Sequence, residues 1–230
     1  MRIAVVGANG PTGRHLTDQA IAAGHEVVAV TRRPGSLTPR PALTVAVADA
    51  TDPAAVDAAI GGTDAVLSAL GARFSKEAVT TYSASAKAIT EAMAGHGIKR
   101  LLAVSSSIAD PNWRPAGAHF FNHVLDPLVN RRLGRTLHED MRRMEAVIRE
   151  TDLDWTLVRP SGLFEHSVVT DYHTADTSAD GVFTARTDLA ASMLRELEER
   201  EYVHRAMGVI TTAVKPNIAK LIWNEGVKKK

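Results

Sequence analysis

A glycine-rich segment near the start of the chain has the spacing of a phosphate-binding turn. It reads Gly7-Ala8-Asn9-Gly10-Pro11-Thr12-Gly13. Glycine at the first position allows a tight turn, the second lets backbone approach a pyrophosphate, and the third lets helix and strand pack closely. The spacing is G-x-x-G-x-x-G rather than G-x-G-x-x-G, but the segment lies between a short apolar run and a stretch of helical periodicity. In that setting it predicts a dinucleotide site in which the N-terminus of a helix faces the phosphates.

The end of the second apolar run indicates which dinucleotide would bind. After Glu26 to Val30 come Thr31, Arg32 and Arg33, with no acidic residue where an NAD site usually binds the ribose 2′-hydroxyl. A guanidinium can instead pair with a 2′-phosphate through two hydrogen bonds and stack on adenine. We therefore predict NADP(H) rather than NAD(H), the alternative being two solvated loop arginines.

Asp49 follows the third apolar run, with Ala50 beside it. Its carboxylate could accept a hydrogen bond from the adenine amino group, and Ala50 would then lie beside the cofactor. The alternative is an aspartate that holds a turn. The sequence leaves both interpretations open.

Histidine and arginine clusters do not add a second kind of site. His119 and His123 could share a helical face, but no third ligand with fitting spacing accompanies them, so we predict no metal. The basic cluster Arg131, Arg132 and Arg135 has interleaved acids and few aromatic neighbours, which argues against a nucleic-acid groove. We expect it to be solvated or to attract an anionic substrate.

Composition limits the remaining possibilities. The 230 residues carry a formal net charge of +1, 45% are hydrophobic, and there is no cysteine, which excludes disulfides, thiolate metal sites and cysteine nucleophiles. No apolar run approaches the roughly 20 residues that span a bilayer. We expect a cytoplasmic monomer or homodimer that takes a small-molecule substrate, with no membrane or nucleic-acid partner.

Apolar blocks of two kinds alternate along the chain, which predicts βαβ units and a doubly wound parallel sheet. The predicted strands are Ile3 to Val6, Glu26 to Val30, Leu43 to Val47, Ala65 to Ser68, Leu101 to Val104 and Trp155 to Val158. The predicted helices are Thr12 to Ala23, Ala54 to Ile60, Thr80 to Ala94 and Glu139 to Glu150. We therefore expect one α/β domain over 1–230.

Two long stretches interrupt this alternation, residues 107–136 and 162–185. Both follow the carboxyl ends of predicted strands, where ligands bind in such sheets. Because loops of this length in compact domains are often functional, we predict that both cover a substrate, together with the C-terminal region.

Several motifs in order resemble the atypical short-chain dehydrogenase/reductases, and most of all the single-domain NAD(P)H-binding, NmrA-like proteins that include biliverdin reductase B/flavin reductase. They are the glycine-rich turn, Thr31-Arg32-Arg33, Asp49, Asp64 to Gly71, Asp154 to Pro160 and Arg186 to Ala190. The resemblance extends from residue 1 to about residue 200 and implies a Rossmann sheet that carries NADP(H).

The resemblance also implies where the nicotinamide lies, near the ends of the fourth to sixth strands. Its ribose would contact Ala69, Leu70, Gly71 and Arg73, and its carboxamide would contact Pro160, Ser161, Gly162 and Leu163. Ser105, Ser106 and Ser107 match the serine position of the family, with Ser105 beside the cofactor and Ser106 or Ser107 binding a substrate oxygen. The alternative is that these hydroxyls cap backbone groups freed at the strand end.

The chain departs from the family at the catalytic pair. Active short-chain enzymes use Tyr-x-x-x-Lys, but four residues after the three tyrosines stand Ala86, Asp176 and Ala206. In the helix that would carry the pair, His138 is a candidate proton donor, the alternative being a surface or helix-start histidine. Asp140 and Glu145 also lie there and could form helix-stabilising pairs with Arg143 and Arg142.

Hydride transfer needs placement rather than a protein nucleophile. We therefore expect an NADPH-dependent reductase of a small conjugated, quinone- or flavin-like acceptor. The alternative is a non-catalytic NADP(H)-sensing regulator of the NmrA-like type.

Overall fold

A computed structural model describes residues 1–72, 77–116, 118 and 134–216. The strands are β1 (Arg2–Val6), β2 (Glu26–Thr31), β3 (Leu43–Val47), β4 (Ala65–Ser68), β5 (Arg100–Val104), β6 (Asp154–Pro160), β7 (Gly162–Phe164), β8 (Tyr172–Asp176), β9 (Phe183–Ala185) and β10 (Arg205–Thr211). The helices are α1 (Pro11–Ala22), α2 (Pro53–Ile60), α3 (Thr81–His96), α4 (Arg135–Arg149) and α5 (Arg186–Glu199).

The main sheet confirms the predicted doubly wound α/β class. Its strand order is β3-β2-β1-β4-β5-β6-β10-β8, and every neighbouring pair is parallel except β10 with β8. The chain reverses its direction of winding between β1 and β4, and crevices for ligands form at such a switch point. The glycine-rich turn follows β1 and therefore lies at this crevice.

Helices cover both faces of the sheet, which explains the continuous apolar strands. In β1, Ala4 and Val6 pack into the core that α2, α3 and α4 cover, whereas Ile3 and Val5 pack into the core beneath α1 and α5. The two cores hold the sheet rigid, so the loops at its carboxyl edge have a fixed base.

The start of a helix agrees with the prediction where a neighbouring residue caps it, and differs where tertiary packing sets it. Asp52 caps α2 as its Oδ1 accepts from the N–H groups of Ala54 and Ala55, as the Asp-Pro pair predicts. Helix α4 begins four residues before the predicted Glu139, because Leu137 continues its buried apolar face back to Arg135. Helix α5 and strand β10 were not predicted.

The segment 162–185 is more ordered than the predicted covering loop. It contains β7 and β9, which pair with each other, and β8, which pairs antiparallel with β10 and forms an edge of the main sheet. In the other segment, residues 107–109 form a short 3-10 turn. No helix within the described residues is long and apolar enough to span a bilayer.

Candidate functional site

The glycine-rich turn has a geometry that requires glycine at two positions. Gly7 has φ +84°, and its carbonyl oxygen accepts from the Gly10 N–H at 2.9 Å. A Cβ at Gly13 would lie 2.2 Å from the same oxygen, so a larger residue would push α1 away from the turn.

The start of α1 fits a dinucleotide pyrophosphate. Gly10 precedes the helix with extended backbone and provides no side-chain cap, and Pro11 has no N–H. The side chain of the residue before the helix therefore does not cap the N–H groups of Thr12 and Gly13. These groups lie at the N-terminus of α1, the end of a helix that carries partial positive charge. Asn9 precedes them in the turn. The residues present can hold this cofactor.

The end of β2 carries the two predicted arginines, and both are exposed. Arg32 Nη1 lies 4.0 Å from Asp49 Oδ2, and the Arg33 N–H donates to Thr31 Oγ1 at 3.3 Å. The positive charge at this end of the strand is thus only partly balanced by a nearby carboxylate.

Arg14, which was not among the predicted site residues, also contributes to this end of the sheet. From the first turn of α1, its Nε donates to the Asn9 carbonyl at 3.2 Å and its Nη2 to the Ser36 carbonyl at 3.4 Å. It therefore links the glycine-rich turn to the loop after β2. Its position directly after the last glycine was the available signal.

Asp49 has the geometry of a turn aspartate. Its Oδ1 accepts from the Thr51 N–H at 2.9 Å and from Thr51 Oγ1 at 2.8 Å. These hydrogen bonds hold the pKa of Asp49 below its usual 3.8, and the one from the Thr51 backbone has the larger effect. The charge of Arg32 lowers the pKa further. The Ala50 side chain is buried in the core, so only its backbone could face a cofactor. Adenine recognition by Asp49 stays a prediction.

The loop after β4 lies directly against the glycine-rich turn. The Ala69 N–H donates to the Val6 carbonyl at 2.9 Å, and a Cβ at Gly7 would lie 2.8 Å from the Ala69 oxygen. Leu70 is half-buried and Gly71 exposed, so both lie at the edge of the crevice. Arg73 lies outside the described residues.

The three serines after β5 differ in how far their hydroxyls are already used. Ser105 Oγ donates to Glu145 Oε1 at 2.7 Å. The fully buried Ser107 Oγ donates to the Arg159 carbonyl at 3.1 Å and lies 3.2 Å from Ser161 Oγ. Ser106 is half-buried, and its Oγ accepts from the Ile108 N–H at 3.4 Å, which leaves its O–H to donate. Ser106 is thus the one of these three serines whose O–H is not used in a hydrogen bond to the described residues.

A buried ion pair between Arg159 and Glu145 lies next to these serines. Arg159 Nε and Nη2 donate to Glu145 Oε1 and Oε2 at 2.9 and 2.6 Å, and both side chains are 7% exposed. The predicted pair of Glu145 with Arg142 was wrong, because Glu145 meets Arg159 in the core and lies 3.7 Å from Arg149 on α4. The predicted Asp140–Arg143 pair is present at 3.2 Å. The feature of the sequence that could have indicated this ion pair is Arg159 itself, because a charged residue within an otherwise apolar strand needs a buried partner of opposite charge.

The other predicted residues fall into two groups. Pro160 and Ser161 are buried at the end of β6, whereas Leu163 is half-buried and Gly162 exposed, so the last two remain accessible. His138 is buried in the first turn of α4, and no tyrosine lies on that helix. His119, His123, Arg131 and Arg132 lie outside the described residues.

No group of three or more acidic or histidine side chains in the described ranges could hold a metal ion.

The two segments predicted to cover a substrate, 107–136 and 162–185, contact each other. Trp113 Nε1 donates to the Ala179 carbonyl at 3.0 Å, and the Ala116 N–H donates to Asp180 Oδ1 at 2.7 Å. Together they line an open depression of about 280 Å³, with Asp110 on one side. The arrangement leaves room for a ligand between the two segments.

Residues of the motif Arg186 to Ala190 hold another part of the second segment. Arg186 pairs with Glu165 at 2.7 Å, and its Nη1 donates to Thr12 Oγ1 at 3.3 Å. The buried Asp188 accepts from the N–H and Oγ1 of Thr170 at 2.7 and 2.9 Å. The motif thus ties residues 165–170 to the start of α1.

Comparison with known proteins places this geometry in a family. The model of a family described as NAD(P)H-binding matches residues 7–200, which include the glycine-rich turn, the serines after β5 and the motif at Arg186. The chain belongs to the NAD(P)H-binding family. This confirms the expected relationship to the NAD(P)H-binding proteins.

Solved structures agree with this NAD(P)H-binding family chain in fold. A short-chain dehydrogenase/reductase from Veillonella parvula in complex with NADP is 18% identical, with 94% of this chain and 98% of that chain covered and a TM-score of 0.75. The anaerobilin reductase ChuY from Escherichia coli is 20% identical, with 94% and 100% covered and a TM-score of 0.75. At these identities the likeness establishes the Rossmann fold.

Curated relatives match over a shorter region. An uncharacterized protein from Mycobacterium tuberculosis is 46% identical over 66 residues, which are 29% of this chain and 8% of the relative. The chain thus spans only a small part of the length of the curated relatives that it matches.

Proposed function

We propose that the protein is an NADPH-dependent reductase that passes hydride to a small conjugated, quinone- or flavin-like acceptor. The observation that carries this proposal is the dinucleotide turn at the switch point of the sheet, in which Gly13 cannot bear a Cβ, and the open depression between the two covering segments offers room for an acceptor. The family match supports the cofactor class, and the NADP complex and anaerobilin reductase activity of two structural relatives support the reaction class.

The proposal assigns the cofactor to the residues of the crevice. The uncapped N–H groups at the start of α1 would bind the pyrophosphate, with Asn9, Gly10, Pro11 and Thr12 around it. Arg32 and Arg33 would pair with the 2′-phosphate, which supports NADP(H) over NAD(H).

The remaining cofactor contacts would come from the loop after β4 and the end of β6. Leu70 and Gly71 would lie beside the nicotinamide ribose. Gly162 and Leu163, the accessible residues after β6, would lie beside the carboxamide.

The chemistry needs orientation and one proton. The nicotinamide supplies the hydride, and the acceptor gains that hydride and one proton, so two electrons are transferred. Ser106 would orient the acceptor by donating its free O–H to an acceptor oxygen. The proton comes from solvent or from His138, the candidate donor on α4.

The alternative function is a non-catalytic NADP(H)-sensing regulator. It is favoured by the lack of a tyrosine on α4 and of any Tyr-x-x-x-Lys in the sequence.

One assay separates the two functions. Purified protein is mixed with NADPH and a panel of quinones, flavins and biliverdin while the cofactor absorbance is followed. We expect NADPH oxidation with at least one acceptor. Tight NADPH binding without turnover across the panel would reject the reductase and favour the regulator.

A further inference from the structure

We propose that Tyr82 is a positioning residue for the bound nicotinamide cofactor, acting through a hydrogen bond from the Ala72 N–H to its hydroxyl, and that Asp140 holds Tyr82 in place. Neither residue belongs to the predicted cofactor contacts. The proposal rests on the proposed function, since it concerns the loop that would contact the nicotinamide ribose.

The hydrogen bond joins α3 to the loop after β4. The Ala72 N–H donates to Tyr82 Oη at 3.0 Å. Ala69, at the start of this loop, still follows the strand pattern by donating to the Val6 carbonyl, whereas Ala72 donates to a side chain. The exposed Gly71 lies between the two, so Tyr82 holds the far end of the short segment that lines the crevice.

Asp140 in turn fixes the helix end that carries Tyr82. This carboxylate is fully buried, and its Oδ2 accepts from the Tyr82 N–H at 2.8 Å and the Ser83 N–H at 3.4 Å. An anionic acceptor at the N-terminus of α3 satisfies N–H groups that have no partner within the helix. The contacts thus run from α4 through the start of α3 to the loop after β4.

The surroundings of Tyr82 suit an acceptor that stays protonated. Its side chain is 3% exposed, and burial raises the pKa of its phenol above the usual 10. The ring packs with Leu70, Met144 and Ile148 around a cavity of about 10 Å³. Phenylalanine keeps these ring contacts and removes only the oxygen, so Tyr82→Phe isolates the hydrogen bond.

The order of the loop matters for binding because a bound ligand must otherwise order it. A loop that is already held loses less conformational entropy when the cofactor binds. Removing the Tyr82 oxygen should therefore weaken NADPH binding without a change in any residue that touches the cofactor.

The test compares Tyr82→Phe with Tyr202→Phe in the full chain. Tyr202 is also buried, at 6% exposure, and its hydroxyl donates to Thr174 Oγ1 at 3.4 Å on β8, away from the loop after β4. NADPH dissociation constants are measured by fluorescence, and hydrogen exchange of the Ala72 amide is measured in the free protein. We expect Tyr82→Phe to speed the exchange and to weaken NADPH binding by about fivefold, the size expected for one net hydrogen bond.

A second variant reaches the same loop from α4. Asp140→Asn should change NADPH binding and Ala72 exchange in the same direction, because the amide oxygen can still accept from the N–H groups of α3 but the negative charge that stabilises this helix end is lost. Unchanged NADPH affinity and unchanged Ala72 exchange in Tyr82→Phe would overturn the proposal, as would an equal loss of affinity in Tyr202→Phe. If the parent protein itself fails to bind NADPH, the proposed function fails, and the exchange of Ala72 still decides whether Tyr82 holds the loop.

Discussion

Replacing Glu145 with glutamine removes the carboxylate that accepts two hydrogen bonds from the buried Arg159, and leaves Asp110, 3.9 Å from Arg159 Nη1, as the nearest counter-charge. In the parent protein the two side chains share two hydrogen bonds of 2.9 and 2.6 Å, each 7% exposed, and Ser105 Oγ donates to the same carboxylate at 2.7 Å. Glutamine has nearly the same volume, so packing is kept. Its amide nitrogen, however, must face an N–H group of the guanidinium in either orientation, because both carboxylate oxygens accept from Arg159.

The expected cost is large because the pair is buried. Removing one partner of a buried ion pair typically costs about 3–5 kcal/mol, whereas a whole domain is stable by roughly 5–15 kcal/mol. With a urea m-value of about 2 kcal/mol per molar, the unfolding midpoint should fall by about 2 M. NADPH oxidation should fall as well, because the serines at the end of β5 lose their support.

Equilibrium urea unfolding measures this loss, and Glu139→Gln on the same helix is the matched control. Glu139 accepts from Arg135 at 2.8 Å in an exposed i,i+4 pair that solvent screens, so we expect almost no shift of the unfolding midpoint. A loss below about 1 kcal/mol for Glu145→Gln would refute the reasoning, since the buried charge would then be compensated elsewhere. The double variant Glu145→Leu, Arg159→Met should be more stable than the single variant, because the buried guanidinium is removed together with its main partner and only Asp110 loses a pairing, one of 3.9 Å.

Three further outcomes follow from the crevice. Gly13→Ala should lower the free energy of unfolding by about 1–3 kcal/mol and abolish NADPH binding, because the added Cβ would lie 2.2 Å from a carbonyl oxygen; urea unfolding and fluorescence titration measure both effects. The double variant Arg32→Ala, Arg33→Ala should weaken NADPH binding and leave NADH binding unchanged, and equal parental affinity for the two cofactors would contradict it. NMR titration should place the pKa of Asp49 below 3.8, so its contribution to stability is present above about pH 4 and is lost as the pH falls through the lowered pKa; Thr51→Val should raise that pKa, because one hydrogen bond to the carboxylate is lost.

Controls for these variants come from other parts of the same chain. Gly95, in α3, would place an added Cβ in open space, with nothing within 4 Å, so Gly95→Ala should be neutral or stabilise by up to about 1 kcal/mol. Arg200→Ala with Arg205→Ala removes two charges at the amino edge of the sheet, where β10 begins, and should leave the NADPH preference unchanged. Loss of the preference in this control would show that net charge, rather than the position of Arg32 and Arg33, sets it.

The nucleotide-binding half of the fold could be predicted from the sequence because neighbouring residues specify its elements. Gly7 and Gly13 specify a turn and a close helix contact within seven residues, and the Asp52-Pro53 pair specifies the start of α2. Apolar runs such as Ile3 to Val6 predict strands buried on both faces, and these predictions were confirmed. Segment 162–185 was harder, because β8 joins the sheet only by pairing with β10, some thirty residues later in the chain.

The sequence by itself therefore determined the fold class, the dinucleotide turn and the arginines at the end of β2, since neighbouring residues specify each of them. Only the tertiary structure decided which polar groups remain available. Glu145 faces Arg159 across α4 and β6, Ser107 is enclosed beside Ser161, and Tyr82 reaches Ala72 from another helix. The reason is physical: a buried polar group must find a partner wherever packing places one, and that partner is not encoded by spacing along the chain.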